Sequence, residues 1–150
     1  MPRRGVNLRP VWEDQYTLPK RADLLSAIPR PHRGLVDTVR ERLLKLPSVE
    51  ETLSWRGIPW RWTFGYSLEG EGDRPFAFLV PSPVRPIFAM PFNAAQCRNL
   101  RASRAVMDGL VQATRVGVVL WPQWDLSGRP LVEELLTVAQ KRCEILLAHA

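Results

Sequence analysis

The chain has 150 residues, 45% apolar and 24% charged, enough for one domain with a proper core and ordinary for a soluble globular protein. Its longest clean apolar run, Val116 to Trp121, is far too short to cross a bilayer, and Arg3 and Arg4 lead into no apolar block of the kind a secretory signal needs. The formal net charge of +6 permits a nucleic acid or another anionic partner, although a basic solvated surface has the same composition.

Residues 1–20 contain Pro2, Pro10 and Pro19 and show no period, so an extended arm is expected, with Trp12 and Tyr16 as its anchors on a single domain spanning residues 21–150. Arg21 to Ile28 suits a short helix that Pro29 and Pro31 end, and the segment from Pro29 to Gly34 reads as a loop. Leu35, Val39, Leu43 and Leu46 repeat at helical spacing, with Arg40, Glu41 and Lys45 facing out. Ser48 followed by Glu51 has the form of a capping box, which predicts a helical turn over Val49 to Leu53.

The stretch after Pro59 organises the chain. Trp60, Trp62, Phe64, Tyr66 and Leu68 alternate with Arg61, Thr63, Gly65 and Ser67, a period of two that places all five large residues on one face of a strand. The polar turn Glu69 to Arg74 predicts an antiparallel partner over Phe76 to Val80. Ile87 to Phe92 reads as a third strand, short or at an edge because prolines bound it. Asn93 and Gln96 predict a helix from Ala94 through Cys97, Leu100, Met107, Leu110 and Val111; Ser103 can restart it, which leaves one helix or two open. Val116 to Trp121 is a β-branched run and a fourth strand. Pro122 to Gly128 is a loop carrying Trp124, and Pro130 opens a last helix with Val132, Leu135, Leu136, Ala139, Cys143, Leu146 and Leu147 on one stripe. The whole predicts an α+β domain: a twisted, mostly antiparallel sheet of four to five strands with helices on one face.

The segment Leu46-Pro-Ser-Val-Glu-Glu-Thr-Leu-Ser-Trp-Arg-Gly-Ile-Pro-Trp60 resembles the start of the YdhG-like domains, a bacterial family largely without assigned function. Glu51, Trp55, Gly57, Ile58, Pro59 and Trp60 carry the resemblance, and Leu131 to Leu147 is similar to that family's closing helix. The resemblance implies a frataxin-like fold for residues 35–147. One bacterial branch of the family is linked to iron handling, a link that does not carry over easily to this chain, because Phe76 to Phe92 contains neither Lys nor His and the chain is basic. The same layout is similar to the MmcQ/YjbR proteins, a resemblance that implies DNA binding.

Catalytic constellations are scarce. His32 lies in a proline-rich segment with no nucleophile motif, and His149 is next to the last residue. Cys97 and Cys143 lack zinc-site spacing and read as free thiols, as in a reducing cytoplasm. The carboxylate pairs Glu50/Glu51 and Glu133/Glu134 suit helix starts, and no glycine-rich phosphate loop is present. No catalytic residue, metal or cofactor is therefore expected. The strongest functional lead is aromatic: Trp55, Trp60, Trp62, Tyr66, Trp121 and Trp124, with Arg56 beside them, suit a cleft for a small ligand or protein partner that carries planar or anionic groups. A tryptophan-rich core uses the same residues. Arg98, Arg101 and Arg104, three apart, form the alternative, one helix side that tracks nucleic-acid phosphates.

Overall fold

The computed structural model describes residues 10–97 and 100–149, the Gln96 side chain excepted. A 3₁₀ turn at Val11–Glu13 is followed by helices α1 (Arg21–Ser26) and α2 (Arg30–Leu44). Four strands come next: β1 (Val49–Trp55), β2 (Trp62–Leu68), β3 (Ala77–Val80) and β4 (Ile87–Ala89). Strand β5 (Phe92–Asn93), a second 3₁₀ turn (Ala94–Cys97), α3 (Arg104–Val111), β6 (Thr114–Val116), β7 (Val119–Trp121), β8 (Gln123–Asp125) and α4 (Arg129–Ala148) complete the order. The main sheet runs β1-β2-β3-β4-β8 with every pairing antiparallel, and a small sheet runs β5-β7-β6. The fold class is thus α+β with an antiparallel sheet, as the pattern of the sequence predicts.

Register sorts the side chains. Leu53, Phe64, Leu79, Phe88 and Trp124 stand opposite one another across the five strands, and on this face they meet Val36, Val39 and Leu43 of α2 and Val132, Leu135, Leu136, Ala139 and Cys143 of α4. The second row, Thr52, Gly65, Phe78, Ala89 and Gln123, looks the other way. At Gly65 a Cβ would lie 3.1 Å from Pro75 and 3.2 Å from Thr52, so the segment before β3 lies directly on the strand. Every residue of β2 is consequently buried, Thr63 and Ser67 included.

Several local expectations are corrected. Val49 to Leu53 is strand, not helix: Ser48 takes a left-handed φ of 59°, unlike the extended backbone of an N-cap, and β1 pairs along its whole length with β2. Residues 30–34 open α2 instead of looping, because Pro31 occupies the first helical turn, where its missing N–H costs nothing. The third strand breaks after Ala89; β4 is internal, because the expected loop at 123–125 is strand β8 and pairs with it. The fourth strand is the second arm of a hairpin, turned at Gly117 with φ 62°. Of the one or two helices left open from Ala94, the chain forms two pieces: Ser103 restarts the helix as α3, its hydroxyl accepting from the Val106 N–H, but the first piece is only a 3₁₀ turn, begun where Asn93 Oδ1 accepts from the Ala95 N–H at 2.9 Å. Within the arm, Trp12 is buried and anchors as expected, but Tyr16 is 89% exposed and anchors nothing.

One polar knot fastens sheet to helix. The Glu51 side chain, 6% exposed, accepts from Arg40 Nε and Nη2 at 2.9 and 2.8 Å, from Arg21 Nε at 2.9 Å and from the Tyr66 hydroxyl at 2.6 Å. Burial alone would push this carboxyl up, but the hydrogen bonds from Arg40, Tyr66 and Arg21 hold it below its ordinary value of 4.5. Burial first, and then the Glu51 charge, push the Tyr66 hydroxyl well above 10.0. Because the folded-state carboxyl is depressed, the knot contributes fully above the unfolded value and is lost as pH falls through the lower folded one. Glu51→Gln leaves Arg40 without its charge partner and is expected to cost about 3 kcal/mol at neutral pH. Denaturant titrations across pH should show the gap to wild type closing as pH drops below 4.5; a gap independent of pH would contradict the assignment.

Candidate functional site

The connection from β1 to β2 builds the site. The Arg56 N–H donates to the Arg61 carbonyl at 2.9 Å, and between them the chain turns at Gly57, with φ 77°. Arg61 itself is left-handed, with φ 59°, an uncommon state for a residue with a Cβ. Its guanidinium lies over the Trp12 ring at 4.9 Å and 3.8 Å from Glu13 Oε1. Two indoles clamp the same place: Trp12 Nε1–H donates to the Trp60 carbonyl at 2.9 Å, and Trp62 Nε1–H donates to the Asp14 carbonyl at 2.7 Å.

The left-handed Arg61 interrupts the pleat between Trp60 and Trp62. Trp62, Phe64, Tyr66 and Leu68 keep to the helix-covered face, but Trp60 crosses to the other, which corrects the expectation that all five share one side. There its ring meets Phe78 at a centroid distance of 5.4 Å and Trp121 at 6.4 Å, and Nε1–H donates to Gln123 Oε1 at 3.1 Å. Phe78 also meets Trp121 at 5.8 Å, and the Arg56 guanidinium sits over the Phe78 ring at 4.8 Å.

Arg56, Trp60, Trp121 and Gln123 wall a cleft of about 1020 Å³, at the upper end of the range for small-molecule sites. Arg56, Ile58, Pro59 and Trp60 form one side; Thr114, Val116 and Trp121 of the hairpin form another; Asp108, Gly109 and Gln112 of α3, with Gln123 and Asp125 of β8, close it. Helix α3 is held in place by contact with Trp124, whose Nε1–H donates to the Val106 carbonyl at 3.2 Å. Its charges differ in how they are matched. Asp108 has Arg104 at 4.0 Å and Asp125 has Arg85 at 3.5 Å. Arg56 has no ion-pair partner among the described residues, and burial holds its guanidinium below the ordinary value. A cation on an aromatic face, with no ion-pair partner among the described residues, can receive an anionic group.

The predicted residues divide. Arg56, Trp60 and Trp121 come together in the cleft, and Trp124 borders it from the core. Trp62 and Tyr66 are core residues. Trp55 packs edge-to-face on Trp62 at 5.8 Å and lines a separate hollow with Glu13, Tyr16 and Arg61. Of the alternative set, Arg98 lies outside the described residues. Arg101 sits in the connector before α3, and Arg104 is its first residue, so these two do not share a helix side. Asp108, Gln112 and Asp125 were not legible as site residues, nor was Phe78, the buried ring on which Trp60, Trp121 and Arg56 rest. The alternation of buried Pro122, Trp124 and Leu126 with exposed Gln123 and Asp125 was the available signal for β8. Among the described residues no three His, Cys, Asp or Glu side chains group as metal ligands would. No protein-family model matches the chain, and no curated protein matches it.

A Cβ on Gly109 would fall within 2.7 Å of the Trp124 ring. Gly109→Ala should therefore destabilise the fold by about 1–3 kcal/mol, despite the roughly 1 kcal/mol that helix propensity returns. Thermal unfolding checks the sign; a stabilised variant would show that α3 does not depend on this contact.

Proposed function

We propose that this protein is a non-enzymatic binding protein of the YdhG-like type, taking a small ligand or protein partner that offers a planar aromatic group to Trp60 and Trp121 and a carboxylate to Arg56. One observation carries the proposal: a guanidinium lying 4.8 Å over the Phe78 ring, without an ion-pair partner among the described residues, at an open aromatic cleft. Support for the kinship is the motif from Glu51 to Trp60 on a helix-covered antiparallel sheet. Among the described residues no helix is long and apolar enough to cross a membrane, and both cysteines are free, which supports a cytoplasmic setting.

Calorimetric titration with naphthoate, an aromatic carboxylate, tests this. Wild type and the Trp55→Phe control should bind alike, because Trp55 lies outside the cleft. Arg56→Gln should bind at least about tenfold more weakly, the equivalent of 1.4 kcal/mol. Equal affinity of the Arg56→Gln variant, or no binding to wild type, would refute the proposal.

Nucleic-acid binding ranks second, since Arg101 and Arg104 belong to different segments and Arg104 faces Asp108. Salt-sensitive retardation of duplex DNA that is lost in an Arg101→Gln, Arg104→Gln double variant would reverse the order.

A further inference from the structure

Helix α4 carries a second apolar stripe beside the one that packs in the core. Val138, Ile145 and Leu146 stand two turns apart on it, and Ile145 and Leu146 are 55% and 37% exposed. Facing them is the connector that leads into α3, with Leu100 and Ala102. Glu134 holds that connector against the helix. Its carboxylate accepts from the Ser103 N–H at 2.7 Å and from the Ser103 hydroxyl. A cavity of about 340 Å³ remains between helix and connector, and it shares no lining residue with the aromatic cleft.

Shape and lining both select a chain. The cavity touches α4 from Glu134 to Leu146, about 18 Å at 1.5 Å per residue. A volume of about 340 Å³ drawn out over that length is a narrow channel, too thin for a fused ring. At roughly 30 Å³ per heavy atom, the share of one water in the liquid, it holds about eleven such atoms. Phe92 is the one aromatic residue that lines it; that ring is 4% exposed and lies under the Arg142 guanidinium at 4.7 Å. No open ring face is left for stacking, and the other apolar walls are aliphatic.

Charge selects the head group. Arg101 of the connector and Lys141 and Arg142 of α4 line the channel, against the single carboxylate of Glu134, which Ser103 already engages. Arg101 and Lys141 are exposed, and neither has an ion-pair partner among the described residues. An apolar channel with unmatched cations on both walls is complementary to an amphipathic anion. Independently of the aromatic cleft, we propose that this channel binds an aliphatic monocarboxylate of about eight carbons, its tail against Val138, Ile145 and Leu146 and its carboxylate held by Arg101 and Lys141.

Calorimetric titration of the full chain with sodium octanoate tests the site. Affinity should fall about fourfold for each methylene removed on going to hexanoate, and octyltrimethylammonium should not bind. An Arg101→Gln, Lys141→Gln double variant should bind octanoate at least about tenfold more weakly. Both substitutions are at exposed positions, so the fold is kept. Arg104→Gln removes one charge outside the channel and should bind as wild type does. Methyl resonances of Val138, Ile145 and Leu146 should move with octanoate. Equal binding of octanoate and the ammonium, an affinity independent of chain length, or an unchanged affinity in the double variant overturns the proposal. Binding lost in Arg56→Gln but kept in the double variant puts the chain in the aromatic cleft and overturns it equally. Absence of octanoate binding overturns it too, even where the protein sediments with phosphatidylglycerol vesicles, since the cations then serve a membrane surface.

Discussion

A left-handed backbone at a single arginine decides which tryptophans are core and which are surface. With Arg61 extended, Trp60 would lie beside Trp62 under the helices, and the second face of the sheet would lose its largest side chain. With Arg61 at φ 59° the strand restarts one residue later on the opposite side. This conformation carries a cost for a residue with a Cβ. The Trp12 ring under the guanidinium and the paired indole hydrogen bonds between segments 12–14 and 60–62 offset it. Trp12 thus sets the direction of Trp60 without lining the cleft.

The two faces of the sheet then have different tasks. The helix side is closed by apolar packing and by the carboxylate of Glu51, which joins α1, α2, β1 and β2 through Arg21, Arg40 and Tyr66. The other side is covered only in part. Phe78, Trp60 and Trp121 lean on one another at tilted or edge-on angles, and Arg56 lies on top with its charge unmatched by any ion pair among the described residues. Helix α3, seated on Trp124 through the missing side chain of Gly109, stands far enough along the sheet edge to bound a cleft.

Much of this was legible from residue pattern. The alternation from Trp62 to Leu68 identified the central strand, the polar turn after it predicted the antiparallel partner, and the stripe from Val132 to Cys143 identified the closing helix. These signals are strong because burial on one face imposes a period. What failed depended on single backbone angles or on long-range pairing. Ser48 resembled a cap but is left-handed; Trp60 continued the alternation in letters but not in space. Gln123 to Asp125 is too short a run to announce a strand until β4 is there to pair with it. Of the site, Arg56, Trp60 and Trp121 were visible as aromatic and basic excess. Asp108 and Asp125 were not, because only the folded chain brings α3 and β8 to the same cleft.

The central claim is that the tryptophans divide into ligand-facing and structural groups at Arg61. Fluorine NMR of the protein labelled with fluorotryptophan, titrated with naphthoate, tests it most directly. The account predicts that the resonances of Trp60 and Trp121 move on titration and that those of Trp12 and Trp62 stay fixed. Movement of Trp62 with Trp60 unaffected would contradict it.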